Sequence, residues 1–236
     1  MMIKAVFFDL DGTLLPLNED KFAKLYFSLL SKKAQTLGYD QEKFLKILLS
    51  GTEAMYKNES ENTNEEVFWN TFANYYGKDK LKDKPLFDKF YLNEFKLLKE
   101  ACEKNDLARE IIDYCKKNLK YTILSTNPLF PYNANLTRMG FVGLKESDFT
   151  YITSYENSNC CKPNPKYFEN LLKMFELKPK EVIVFGNNTL EDAYCAESLG
   201  IKTYIVKGFI IDKQNIINNY ECIEMNEIIS TIKKHL

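Results

Sequence analysis

Histidine is all but missing from this 236-residue chain: His235 is the only one. A Ser-His-Asp or Cys-His mechanism is thereby excluded. No sign of charge dominates either. Lys and Arg total 32 against 33 Asp and Glu, a balance that gives no reason to expect a nucleic acid or an anionic membrane surface as partner. No apolar run approaches the roughly 20 residues of a membrane span, and no signal-peptide pattern precedes the first strand. Cytoplasmic residence is the expectation. Six cysteines (Cys102, Cys115, Cys160, Cys161, Cys195 and Cys222) lack the paired spacing of a zinc site. Thiols are expected, several of them buried, and the adjacent Cys160 and Cys161 are where redox sensitivity would be sought. Internal repeats and low-complexity segments are lacking too. Asn58 and Asn135 sit in glycosylation-acceptor strings that carry no weight without secretion.

What is present is a 45% hydrophobic composition, enough for a full core and a second small module. The most informative stretch comes first. Ile3-Lys4-Ala5-Val6-Phe7-Phe8 reads as a buried strand of a parallel sheet, and it runs into Asp9-Leu10-Asp11-Gly12-Thr13. The glycine allows a sharp backbone turn. Ligands of open α/β sheets bind at the carboxyl ends of strands. Two carboxylates held there repel unless a cation or a shared proton intervenes, so Mg²⁺ is the economical reading, with one carboxylate left free to react. An isolated Asp-x-Asp would be read as a turn cap. The whole string, placed after an N-terminal strand, resembles the first motif of the haloacid dehalogenase superfamily, most of whose members are Mg²⁺-dependent phosphatases.

From about Asn18 to Lys99 every pattern is helical. Phe22, Leu25, Tyr26 and Leu29 form one apolar face, and Phe44, Leu45, Leu48 and Leu49 a second. Thr63-Asn64-Glu65-Glu66 is a capping box opening a third helix, and Pro85 suits the first turn of a fourth. Eighty residues far exceed an ordinary βα loop. They read as a second domain, residues 17–99, inserted over the catalytic turn of a core made of residues 1–16 and 100–236. The resemblance implies a helical cap that opens and closes over the site, and the aromatic stripe Phe68, Trp69, Phe72, Tyr75 and Tyr76 reads mainly as cap core. After Asn105, strands at 121–124, 151–152, 181–185, 201–206 and 221–223 alternate with helices, including 130–139 stopped by Gly140 and 190–199 stopped by Gly200. The fold class is therefore α/β, a doubly wound parallel sheet with an inserted all-helical cap.

Three more strand ends carry polar strings. Ser125-Thr126-Asn127-Pro128 offers a hydroxyl and backbone N–H groups to a phosphate oxygen. Cys161-Lys162-Pro163-Asn164-Pro165 stiffens a lysine beside a helix start, where it would neutralise a phosphate. Gly186-Asn187-Asn188-Thr189-Leu190-Glu191-Asp192 follows a buried strand. These look like the family's second, third and fourth motifs, except that Cys161 replaces a frequent glycine and Asn187 replaces the first aspartate of the fourth. The lost charge weakens attraction for a cation by about 1 kcal/mol in a wet site and about 4 in a partly buried one, tenfold to a thousandfold in affinity.

The resemblance implies roles. Asp9 is the nucleophile on a phosphomonoester of a small metabolite, Asp11 the general acid and then base, and Lys162 the charge-neutralising cation. Thr126, Asn127 and Thr13 bind substrate. Mg²⁺ is held by Asp9, the Asp11 main-chain oxygen, and Asn187 or Asp192. A haloacid dehalogenase needs no proton donor, which leaves Asp11 unexplained. The alternative from another class is a degenerate member that binds a phospho-ligand or a protein without turnover. The sequence names neither the substrate nor the oligomeric state.

Overall fold

The computed structural model describes residues 2–236. Its six strands, all parallel, form one sheet in the order β3-β2-β1-β4-β5-β6. They are β1 (Ala5–Phe8), β2 (Tyr121–Leu124), β3 (Tyr151–Ile152), β4 (Val182–Gly186), β5 (Lys202–Val206) and β6 (Glu221–Ile223). Alternate side chains of a strand face opposite sides, and here both sides are covered. Val6 and Phe8 of β1 join Ile183 and Phe185 of β4 in the larger apolar cluster, whereas Ala5 and Phe7 join Val182 and Val184 in the second. That explains the unbroken apolar strands in the sequence. Strand order reverses between β1 and β4, so the crevice at a topological switch point opens at their carboxyl ends.

Between β1 and β2 lie α1 (Glu19–Thr36), α2 (Gln41–Tyr56), α3 (Asn64–Tyr76), α4 (Lys84–Leu92) and a 3₁₀ segment, Glu94–Ala101. The capping box closes as read: Thr63 N–H donates to Glu66 and Glu66 N–H to Thr63 Oγ1. The insertion leaves and returns at one seam, where Leu17 pairs with Cys102. Its apolar face does not form a separate core. Phe22, Tyr26, Phe90 and Phe95 belong to the same cluster as Phe8 and Met139, and Phe130 packs edge-on against Tyr26 and tilted against Phe95.

The remaining helices are α5 (Asp106–Asn118), α6 (Tyr132–Phe141), α7 (Lys166–Met174), α8 (Cys195–Glu197) and α9 (Ile228–Lys233). Two expectations are corrected. Gly140 does not stop α6, which passes through it to Phe141; the left-handed Gly143 (φ +73°) ends the turn instead. The segment after β4 is not a continuous α-helix but a wide π-turn, Thr189–Tyr194, leading into the short α8. All six cysteines are free thiols, four of them buried. Among the described residues no helix is long and apolar enough to cross a membrane.

Candidate active site

Asp9 is the first residue past β1, and its N–H donates to Phe185 O of β4. The chain then doubles back, Leu15 N–H donating to Leu10 O and Gly12 N–H to Leu15 O. Gly12 is left-handed (φ +78°), and a Cβ there would lie 2.1 Å from Asn187 Nδ2. Only glycine meets both demands. The turn aims Asp9 and Asp11 into a cavity of about 210 Å³ at the strand ends, which Thr126, Asn127, Asn187 and Asp192 also line.

Lys162 is the electrostatic centre. It is buried, and its Nζ donates to Asp9 Oδ1 at 2.8 Å and Asp192 Oδ1 at 2.6 Å. Burial works against the ammonium, but Asp192 and Asp9 more than offset this and hold its pKa well above the ordinary lysine value. On Asp9, burial raises the carboxyl more than Lys162 lowers it, and Asp192 adds to the rise. Burial raises Asp11 as well, against its partner Arg138. Asp192 Oδ2 accepts the N–H groups of Asn187 and Asn188. This requires Gly186, because a Cβ there would stand 2.3 Å from the Asp192 carboxylate. The π-turn curls Asp192 back onto the end of β4.

Three expected residues are used differently from the expectation. Asp192, expected at a metal, has both oxygens committed to Lys162 and the backbone. Thr13, expected at substrate, does not line the cavity; it is buried and its Oγ1 donates to Asn187 Oδ1 at 3.4 Å. Asn127 lines the cavity, yet its amide braces the loops: Nδ2 donates to Lys162 O and Glu191 Oε2, and Oδ1 accepts Lys162 N–H. Thr126 lines the cavity while Thr153 and Tyr167 hydroxyls hold its carbonyl.

Glu19, Tyr56, Phe130 and Lys213 escaped the sequence reading and also line the cavity, as does Glu191, a candidate to make up the charge lost at Asn187; Tyr56 reaches from α2 to Glu191 Oε1 at 3.4 Å. Burial raises the carboxyls of Glu19 and Glu191. Fully buried Arg138 forms an ion pair with Asp11 Oδ2. Glu191 lay inside a motif already singled out; the others are remote in sequence and had no local signal. Burial also pushes the Cys160 thiol up to about 11, which makes it an unreactive one.

Five carboxylates thus crowd one cavity, and Asp11 Oδ1 is buried without a hydrogen-bond partner. Among the described residues no three His, Cys, Asp or Glu side chains converge into a ready-made metal cage. The carboxylate oxygens of the lining are donors of the kind Mg²⁺ takes, one or two at a time, beside waters and substrate oxygens.

The sequence profile of the haloacid dehalogenase-like hydrolases matches residues 3–200. A glyceraldehyde 3-phosphate phosphatase from Pyrococcus furiosus is 45% identical over 42 residues, which is 18% of each chain. A haloacid dehalogenase-superfamily phosphatase from Thermococcus onnurineus superposes with a TM-score of 0.60 at 20% identity, over 98% of both chains. An L-2-haloacid dehalogenase from Xanthobacter autotrophicus does so with a TM-score of 0.55 at 13% identity, over all of both.

Proposed function

The chain belongs to the haloacid dehalogenase-like hydrolases, and we propose on that footing that it is a Mg²⁺-dependent phosphatase of small phosphorylated metabolites. The observation that carries this is Lys162, held between Asp9 and Asp192 at the carboxyl end of β1. Such a cation suits a phosphoryl group arriving at Asp9. An Asp9 oxygen attacks phosphorus to give an aspartyl-phosphate. Asp11 protonates the leaving oxygen, then deprotonates the water that hydrolyses the intermediate, help worth about 10²- to 10⁴-fold. Thr126 binds a phosphoryl oxygen, and Lys162, behind the cavity wall on Asp9 Oδ1, neutralises the charge that arrives there, kept in place by Asp192 and Asn127. Asp9, the Asp11 main-chain oxygen and Asn187 Oδ1 would hold Mg²⁺, which neutralises phosphoryl charge when bound. Residues 17–99 act as the cap, and Tyr56 and Glu19 carry its polar surface into the cavity.

Retention of Asp11 favours this over dehalogenation, which the shared fold alone does not disfavour. The Asn187 amide favours one rival, a phospho-ligand binder without turnover. The test is phosphate release from a phosphomonoester panel with and without Mg²⁺. Saturable activity in millimolar Mg²⁺ that Asp9→Asn abolishes supports the enzyme. Wild-type turnover in Asp9→Asn refutes the nucleophile, and stoichiometric ligand binding without phosphate release supports the binder.

A further inference from the structure

Arg138 lies on α6, fully buried, and does not itself line the cavity. It touches two residues that do. Its Nη1 donates to Asp11 Oδ2, and its guanidinium lies over the Phe130 ring, 4.4 Å from the centroid. Its Nη2 donates to Asn135 Oδ1, and Asn135 in turn donates to Thr153 O, so the arginine is fixed within its own helix and, through Asn135, to the residue just past β3. Burying an unpaired guanidinium is strongly unfavourable. Asp11 is its only carboxylate partner among the described residues. The carboxylate is therefore used unequally: Oδ2 is taken by Arg138, and Oδ1 is buried with no partner.

We propose that Arg138 is a positioning residue for the reaction, holding Asp11 by Oδ2 so that Oδ1 is the oxygen that exchanges a proton with the leaving group. The role rests on the phosphatase reading above. In the first step an Asp9 oxygen bonds to phosphorus and the bond from phosphorus to the leaving oxygen breaks. The electron pair stays on that oxygen, which takes the proton from Asp11 Oδ1. In the second step Oδ1 takes a proton from water as the water oxygen bonds to phosphorus, and Asp9 departs with its electron pair. A guanidinium stays protonated throughout, so Arg138 neither gives nor takes a proton and its effect passes through the orientation of Asp11.

The competing account is a purely architectural ion pair, and the leaving group separates the two. Dinitrophenolate departs without protonation, whereas an alkoxide does not. The experiment measures kcat/KM, which reports the phosphoryl-transfer step, for dinitrophenyl phosphate and for the best alkyl phosphate of the panel. It compares the wild type with Arg138→Met, whose folding is checked by circular dichroism. The alkyl ester is expected to lose about 100-fold or more and the aryl ester about threefold at most. Equal losses overturn the role while leaving the phosphatase reading intact. Should Arg138→Met fail to fold, the double variant Asp11→Asn/Arg138→Met, which leaves neither charge unpaired, is compared with Asp11→Asn on the aryl ester. Values within about twofold support a role through Asp11, and a further loss of about tenfold overturns it. A wild type that hydrolyses no member of the panel removes the phosphatase reading and this role with it.

Discussion

Asn187 stands where a carboxylate is expected, and its amide does something a carboxylate cannot. Nδ2 donates to Phe209 O at 2.6 Å and thereby ties the loop after β5 to the end of β4; Ile211 N–H adds a second tie through Asn187 O. Replacing Asn187 by Asp sets oxygen against oxygen at Phe209. Without metal, Asn187→Asp is expected to lose about 1–3 kcal/mol of stability, measured by urea unfolding in chelator. With metal the added charge works the other way, and half-saturation of activity is expected at about tenfold lower Mg²⁺ or less. A variant that shifts neither quantity would place Asn187 away from the ion. The motif string marked this residue but not its partner, because Phe209 offers only a main-chain carbonyl that no side-chain pattern announces. Arg138 was equally hidden: it meets Asp11 across 127 positions of sequence, and inside a helix an arginine resembles any solvated one.

Helices and turns were readable where the signal is local. The Thr63 capping box and the apolar periodicity of α1 and α2 are short-range properties. The π-turn after β4 was not readable: Asp192 at its centre bonds Lys162 from 30 positions away, a tertiary contact that no local pattern announces. The joint between α5 and the loop before β3 is also tertiary. Buried Asp148 takes Arg109 and Lys116 of α5 and the N–H of Lys145. Burial raises its carboxyl, but these partners more than offset that and hold its pKa below the ordinary 3.8. A carboxyl lowered in the folded state adds stability above its unfolded pKa and loses it as the pH falls through the folded one. Asp148→Asn is therefore expected to cost about 1.5–3 kcal/mol at neutral pH. The gap between variant and wild type narrows as urea unfolding is repeated from about pH 4 downward.

Taken whole, the molecule is a sheet whose loops make the site and a helical insertion that packs into the same apolar core. The sheet and the insertion were legible because strand and helix periods differ so plainly; the shared core was not, because contacts such as Tyr26 with Phe130 join distant segments. A polar latch accompanies that core. Asn64, fully buried at the start of α3, donates from Nδ2 to Pro128 O and Cys161 Sγ and accepts from Asn58. The N–H groups of Asn64 and Glu65 donate to Ser158 O and Tyr155 O. Asn64→Ala is expected to cost about 2 kcal/mol, a melting temperature lower by roughly 4–8 °C, with faster proteolysis inside residues 17–99. Unchanged melting and cleavage would show that the latch carries no weight. The seam at Leu17 and Cys102, with Asn18 N–H on Ala101 O and Glu103 N–H on Pro16 O, makes the insertion a cassette grafted through a single narrow stem. A chain exchanging that cassette for another would keep every strand, but the newcomer would have to cover Phe130 and Met139 and offer new partners to the main-chain oxygens of Pro128, Tyr155 and Ser158.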